Sequence, residues 1–246
     1  MSGFVSTPHL PVGEVGVVAA GERYKGLLSP AFEKLNIDVL WLPDALQVDS
    51  RLAGHADLSL MHLGKNRVVS AYGENVDSRL EMFEFEVIRA PRPGASYPHD
   101  CILNACIVGK KLFHRLDVTA KEVLDNLADI EPVPVSQGYA KCCTCVVDAG
   151  SIITSDHGIA LAAKNNGIDV LEISPGYIGL EGFNYGFIGG ASFKLSGTCL
   201  AFTGRMDMHP DWRRIEAFLS EREIVAVFLT DGPAFDIGSV LPLIER

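Results

Sequence analysis

A pattern of strand, strand, helix and strand recurs along this chain at roughly 40 to 48 residues, a period that builds rings or arrays of like units rather than one central sheet. The clearest copy runs from Gly138 to Gly176. Lys141–Val147 is a β-branched and cysteine-rich run, Ala149-Gly150 makes a turn and Ser151–Ser155 is a second strand, which together read as a hairpin. Because strand residues alternate, Cys143 and Cys145 are expected on the face opposite Cys142. A helix follows: Ser155 or Asp156 can accept from its free first-turn N–H groups. Ile159, Leu161, Ala162 and Ala163 form its apolar side, and Gly167 supplies the left-handed exit. Ile168–Ile173 is the closing strand, ended by Ser174-Pro175-Gly176.

Three further copies have the hairpins Leu58–Leu63 with Arg67–Ala71, Cys101–Val108 with Lys111–Leu116, and Gly190–Leu195 with Cys199–Thr203. Their helices lie near Ser78–Phe83, after a capping box of Thr119 and Glu122, and from His209-Pro210-Asp211 through Leu219. Phe85–Ile88, Glu131–Val135 and Ile224–Leu229 close them. The first copy has the strand Val15–Ala20, a helix started by Ser29-Pro30 and running through Leu35, and the strand Ile37–Leu42, but no leading strand. Gly238–Ile244 stands alone at the other end, and pairing it with the first copy closes a ring. The expected fold is one α/β domain over 1–246, a closed five-bladed ββαβ propeller with pseudo-fivefold symmetry. Its units are 12–44 plus 236–244, 55–90, 98–136, 138–176 and 186–231, with the C-terminal strand completing the first.

That repeat plan resembles the pentein superfamily over almost the whole chain. The motifs Tyr97-Pro98-His99-Asp100, Gln137–Cys142, Ser155–Ala160, Gly186–Gly190 and Asp236–Leu243 are most similar to an uncharacterised bacterial branch of it. The resemblance implies guanidino chemistry: catalytic penteins attack a guanidino carbon with a cysteine thiolate, helped by a histidine and two acids. In many of them that cysteine lies in the last leading strand. Here the matching stretch, Phe235–Leu243, carries Gly238 and Ser239 and no cysteine.

Composition narrows the partners. A hydrophobic content of 48% is ample for a buried core, and a formal net charge of −10 argues against nucleic acid or an anionic membrane. The N-terminal MSGFVSTPHLPVGEVG lacks a signal-peptide pattern and no apolar run is long enough to span a bilayer, so a cytoplasmic protein is expected. The six cysteines are expected to be reduced.

In such a propeller the mouths of the leading strands share one pocket. Superposing the hairpins brings Asp57, Asp100, Lys141, Gly189 or Gly190, and Asp236 to similar positions, so that three carboxylates and one lysine ring the axis. Such a ring suits a small cation, a guanidinium or ammonium group; loop caps and structural ion pairs are the plainer account of the same residues. His99 and Asp100, with the analogous pair His55 and Asp57, would transfer protons. Cys142, beside Lys141, is the candidate nucleophile against a merely buried role, and Ser239 would serve only with a base in reach. Gly186–Ser192 fits no phosphate loop and reads as close backbone approach forming a pocket wall, with Tyr139, Tyr177 and Tyr185 as further lining. Cys142 and Cys145 are spaced wrongly for a shared metal on one strand, and neither metal nor cofactor is expected. Two classes stay open: a guanidino or C–N enzyme, amidinotransferase-like or hydrolytic, and a non-catalytic propeller binding a cation or a protein, as the ribosome-associated initiation-factor branch does. A homo-oligomer is compatible with either.

Overall fold

The computed structural model describes residues 3–246. Its strands form five small sheets, four of three strands and one of four. Each three-stranded sheet is an antiparallel hairpin followed by a helix and a third, parallel strand. In the fourth unit Thr144–Asp148 pairs antiparallel with Ser151–Thr154, which pairs parallel with Asp169–Glu172. The other three are Leu60–Gly64, Arg67–Ser70 and Glu86–Arg89; Cys106–Val108, Lys111–His114 and Glu131–Pro134; and Ser192–Ser196, Cys199–Phe202 and Val225–Phe228. In the four-stranded sheet Val15–Gly21 lies between Asp38–Leu42, parallel to it, and the C-terminal Leu241–Glu245, antiparallel to it. The expected completion of the first unit by the last strand is therefore present, with Gly3–Phe4 added on its outer edge.

Local chemistry explains the elements. Helix His157–Asn165 starts where the Asp156 carboxylate accepts from Ile159 N at 2.8 Å, buries Ile159, Ala160 and Ala163, and is followed by Gly167 at φ +75°. Two sequence expectations fail. Thr119 caps nothing: its hydroxyl is shared between His114 Nδ1 and Arg115 O, and helix Lys121–Asp125 starts without a side-chain cap. The first helix begins at Lys25, so Pro30 lies inside it, held there by the burial of Leu28 and Phe32 one turn apart.

Apolar residues collect between units rather than within them. Cys145, Val147, Ile153 and Leu171 of the fourth unit pack with Leu200, Phe202, Ile215 and Phe218 of the fifth. Similar clusters join the fifth unit to the first, the first to the second, the second to the third and the third to the fourth. Each fully buried Leu, Ile or Phe in them contributes about 1.5–3 kcal/mol. No strand of one sheet pairs with a strand of another among the described residues.

The leading strands begin later than the sequence pattern predicts. Ala56–Leu58 is a 3-10 turn, Ala140–Cys143 a helical turn, and the stretches before Cys106, Ser192 and Leu241 are irregular. The expected strand alternation of Cys142, Cys143 and Cys145 is corrected accordingly, because Cys142 and Cys143 lie on helical backbone. The cause is cross-unit bonding: these segments give their backbone groups to one another instead of to a ladder. Asp57 N donates to Gly238 O (3.2 Å), Ser239 N to Gly190 O (3.1 Å), Gly190 N to Cys142 O (2.9 Å) and Lys141 N to Asn104 O (2.9 Å). Asn104 Nδ2 reaches Asp57 O at 3.4 Å. The chain of bonds thus passes through every unit and returns to its start.

Candidate functional site

The wound segments meet in a buried polar cluster. Asp57 Oδ2 accepts from Ser239 Oγ at 2.9 Å and from Cys142 Sγ at 3.0 Å. Lys141 Nζ donates to Ser239 Oγ (2.9 Å) and Gly189 O (3.1 Å). Ser239 is fully buried at φ +68°, a backbone region unfavourable to a non-glycine, and its hydroxyl also bonds Gly189 O at 3.0 Å. The Asp57 carboxylate does lie in reach of Ser239, yet the hydroxyl is locked into the buried network. Gly189 and Gly190 bring backbone close, as expected: a Cβ on Gly189 would overlap the carbonyls of Lys141 and Thr144, and one on Gly190 the carboxylate of Asp236.

On one side of this cluster opens a cavity of about 430 Å³. Its polar lining includes His55, Cys142, Asp236 and Gln137, and its walls carry Tyr97, Tyr139, Phe183, Tyr185 and Phe187. Asp236 accepts from Phe187 N and Gly238 N, both at 2.9 Å, and its Oδ1 lies 3.9 Å from His55 Nδ1. Burial outweighs those two donors and raises the Asp236 pKa to about 6. Burial also lowers His55 to about 4, which leaves a neutral imidazole 3.9 Å from the Asp236 carboxyl, beyond direct hydrogen-bond reach.

The Cys142 thiol is pushed well above its ordinary range, first by burial and then by Asp57 and Asp236; Lys141 opposes this only weakly. The expected activation of Cys142 by its neighbouring lysine is therefore corrected. Lys141 Nζ is taken by Gly189 O and Ser239 Oγ, with no hydrogen bond to the sulfur.

The structure brings together Asp57, Lys141, Cys142, Gly189, Gly190, Asp236 and Ser239. It does not add the third unit's pair. His99 is exposed, and Asp100 sits behind the cavity wall, its Oδ2 accepting from Tyr139 Oη at 2.6 Å. The third unit's residue in this cluster is Asn104, fully buried, whose Oδ1 accepts from Lys141 N and Cys142 N at 3.0 and 3.1 Å. Sequence superposition missed it because the segment from Cys101 to Ala105 is loop rather than strand. Tyr139 and Tyr185 line the cavity as expected; Tyr177 instead packs on His209, ring centroids 5.2 Å apart. Donors for a metal lie together in His55, Asp57 and Cys142, whose ligand atoms fall within 4.8 Å of one another.

Residues 20–241 match the model of a family of unknown function, DUF6873. The chain belongs to that family. No curated protein matches its sequence. Among solved structures it is similar to SxtG, an amidinotransferase of the saxitoxin pathway of Microseira wollei. The TM-score is 0.60 at 9% identity, over 98% of this chain and 97% of that one. The inosamine-phosphate amidinotransferase StrB1 of Streptomyces griseus gives 0.56 at 9% identity, over 98% and 97%. Campylobacter jejuni agmatine deiminase with substrate bound gives 0.56 at 11% identity, over 98% and 96%. All have the pentein fold, and the DUF6873 chain shares it. At such identities the likeness concerns the fold alone.

Proposed function

We propose that this DUF6873 protein is a closed five-bladed pentein propeller whose axial cavity binds a small cation bearing a guanidino or amino group. The observation that carries the reading is Asp236, a buried carboxylate at an aromatic-walled cavity, fixed by two backbone N–H groups. Aromatic faces and a desolvated carboxylate are the two surfaces a guanidinium or ammonium ion prefers. The inter-unit clusters and the cross-unit hydrogen bonds support ring closure. Neighbours of the same fold act on agmatine or transfer amidino groups, which favours a guanidino ligand over a simple amine. The proposed setting is the cytoplasm, with neither membrane nor nucleic acid as partner, and no helix is long and apolar enough to cross a membrane among the described residues.

A second reading, guanidino or C–N chemistry at Cys142, is favoured by the position of its sulfur at the cavity beside His55. It needs a means of deprotonating a thiol that burial and Asp57 hold protonated.

A thermal-shift screen against guanidino compounds, amino acids and polyamines tests binding, because a ligand that binds only the native state raises the midpoint. The expected result is a rise with guanidino compounds that Asp236→Asn abolishes and Tyr185→Ala reduces. No shift with any cation would refute the cation reading and favour a protein partner.

A further inference from the structure

The axial cluster carries more ligand capacity than its internal hydrogen bonds use. Asp57 Oδ2 is occupied by Ser239 and Cys142, but Asp57 Oδ1 has no protein partner, and neither has His55 Nε2; both residues are 2% exposed. A buried polar atom left unpaired costs on the order of 1–3 kcal/mol, and here two such atoms lie in one cluster at the edge of a cavity. Cys142 Sγ completes a nitrogen, oxygen and sulfur set, all buried, with ligand atoms within 4.8 Å of one another.

We propose that His55, Asp57 and Cys142 form a mononuclear site for a borderline divalent metal, zinc in the first place, with the open coordination position toward the cavity.

The chemistry of the donors selects the metal. One imidazole, one carboxylate and one thiolate suit zinc, whereas calcium and magnesium require oxygen ligands. Tetrahedral zinc at about 2.0–2.3 Å from each ligand places them roughly 3.3–3.7 Å apart. Cys142 Sγ and Asp57 Oδ2 are 3.0 Å apart in the thiol hydrogen bond, so the ion enters by replacing that proton with a slight spread of the pair, and Asp57 Oδ1 stands free as the other carboxylate donor. As the zinc–sulfur bond forms, the thiol proton now shared with Asp57 leaves to solvent. The thiolate and carboxylate then cancel the ion's two charges, so the site is neutral and Asp236 keeps its charge for a cation. Three protein ligands and a fourth position on a cavity are the arrangement of a zinc that takes water or a substrate, not of a structural zinc. His55 and Cys142 line that cavity, which gives the ion and its fourth ligand their entry. The inference stands apart from the cation reading, since its donors exclude Asp236 and its test needs no guanidino compound.

The test uses the full chain and Co2+ as a spectroscopic substitute, followed by Zn2+. About one equivalent of Co2+ is expected to give a thiolate-to-cobalt charge-transfer band in the near ultraviolet, displaced by Zn2+. Cys142→Ala is expected to abolish the band and His55→Ala to weaken binding at least tenfold. Cys199→Ser, which removes the partly exposed thiol outside the cluster, should leave both unchanged. Absence of a band in the wild type, or its persistence in Cys142→Ala, overturns the site. Should Cys142→Ala fail to fold, anomalous scattering from Zn2+-soaked wild-type crystals decides: a peak about 2.3 Å from Cys142 Sγ supports the site. A peak on other residues, or none, overturns it.

Discussion

Asp236 makes a quantitative prediction about pH. Burial raises its pKa from 3.8 to about 6, which corresponds to about 3 kcal/mol of preference for the protonated form in the folded protein. The folded pKa lies above the unfolded one, so the native state holds the extra proton. The contribution of Asp236 to stability is greatest below pH 4 and falls as pH rises through 6. An amide at this position does not titrate, so in Asp236→Asn this fall is removed. Integrated between pH 5 and pH 7.5, wild type should lose about 1.4 kcal/mol relative to Asp236→Asn. The buried His55, His62 and His114, lowered to about 4, act in the opposite sense: their stability is present above pH 6.5 and lost as pH falls toward 4. In the folded protein they stay mostly neutral throughout the chosen window, and their unfolded-state titration is common to both proteins, so they cancel in the difference. Urea unfolding of the two proteins at both pH values measures it directly. A difference that stays constant between pH 5 and 7.5 would refute the burial argument, and one that changes in the opposite direction would mean that the backbone donors from Phe187 and Gly238 outweigh desolvation.

Other predictions follow from the same contacts. Affinity for a guanidino cation should rise roughly tenfold from pH 5 to 7.5 as Asp236 ionises, read by isothermal titration; a flat profile counts against Asp236 as the counter-ion. Gly190→Ala should destabilise by about 3 kcal/mol or more, because its Cβ overlaps the Asp236 carboxylate while Gly190 N and O are held by Cys142, Ile237 and Ser239; a midpoint near wild type would contradict the close approach. Asn104→Ala should cost about 1–3 kcal/mol in urea unfolding, since it strips the acceptor from Cys142 N inside a fully buried site while Lys141 N keeps the Asn104 carbonyl. Without ligand or metal, Cys142 should alkylate far more slowly at neutral pH than the denatured chain, and rapid modification assigned to Cys142 by mass spectrometry would contradict its raised pKa.

Much of the architecture was legible in the sequence because hairpins and helix ends are written locally. Asp156 with Gly167 marks one helix, and the unpaired Gly238–Ile244 run pointed to the first unit's missing strand. The site was legible only where a residue's distance from its strand repeats from unit to unit, as for Asp57, Lys141 and Gly189, each three residues before its leading strand. Asp100 and Asn104 show why the rest was not: the third unit has irregular backbone before Cys106, and its place in the cluster passes from a charged residue to an amide that serves backbone donors. Thr119 failed for a different reason: its hydroxyl is taken by His114 and Arg115 O, five and four residues before it, across the turn that follows the strand. The aromatic wall drew Tyr97, Phe183 and Phe187 from two loops, whose spacing carries no periodic signal.

The central claim is that Asp236 receives a cation inside the aromatic cavity, and crystals soaked in agmatine at neutral pH test it most directly. A guanidinium or ammonium group is expected about 3 Å from the Asp236 carboxylate, with the ligand lying against Tyr139 and Phe187. Agmatine bound elsewhere, or a cavity without it at saturating concentration, would contradict that claim.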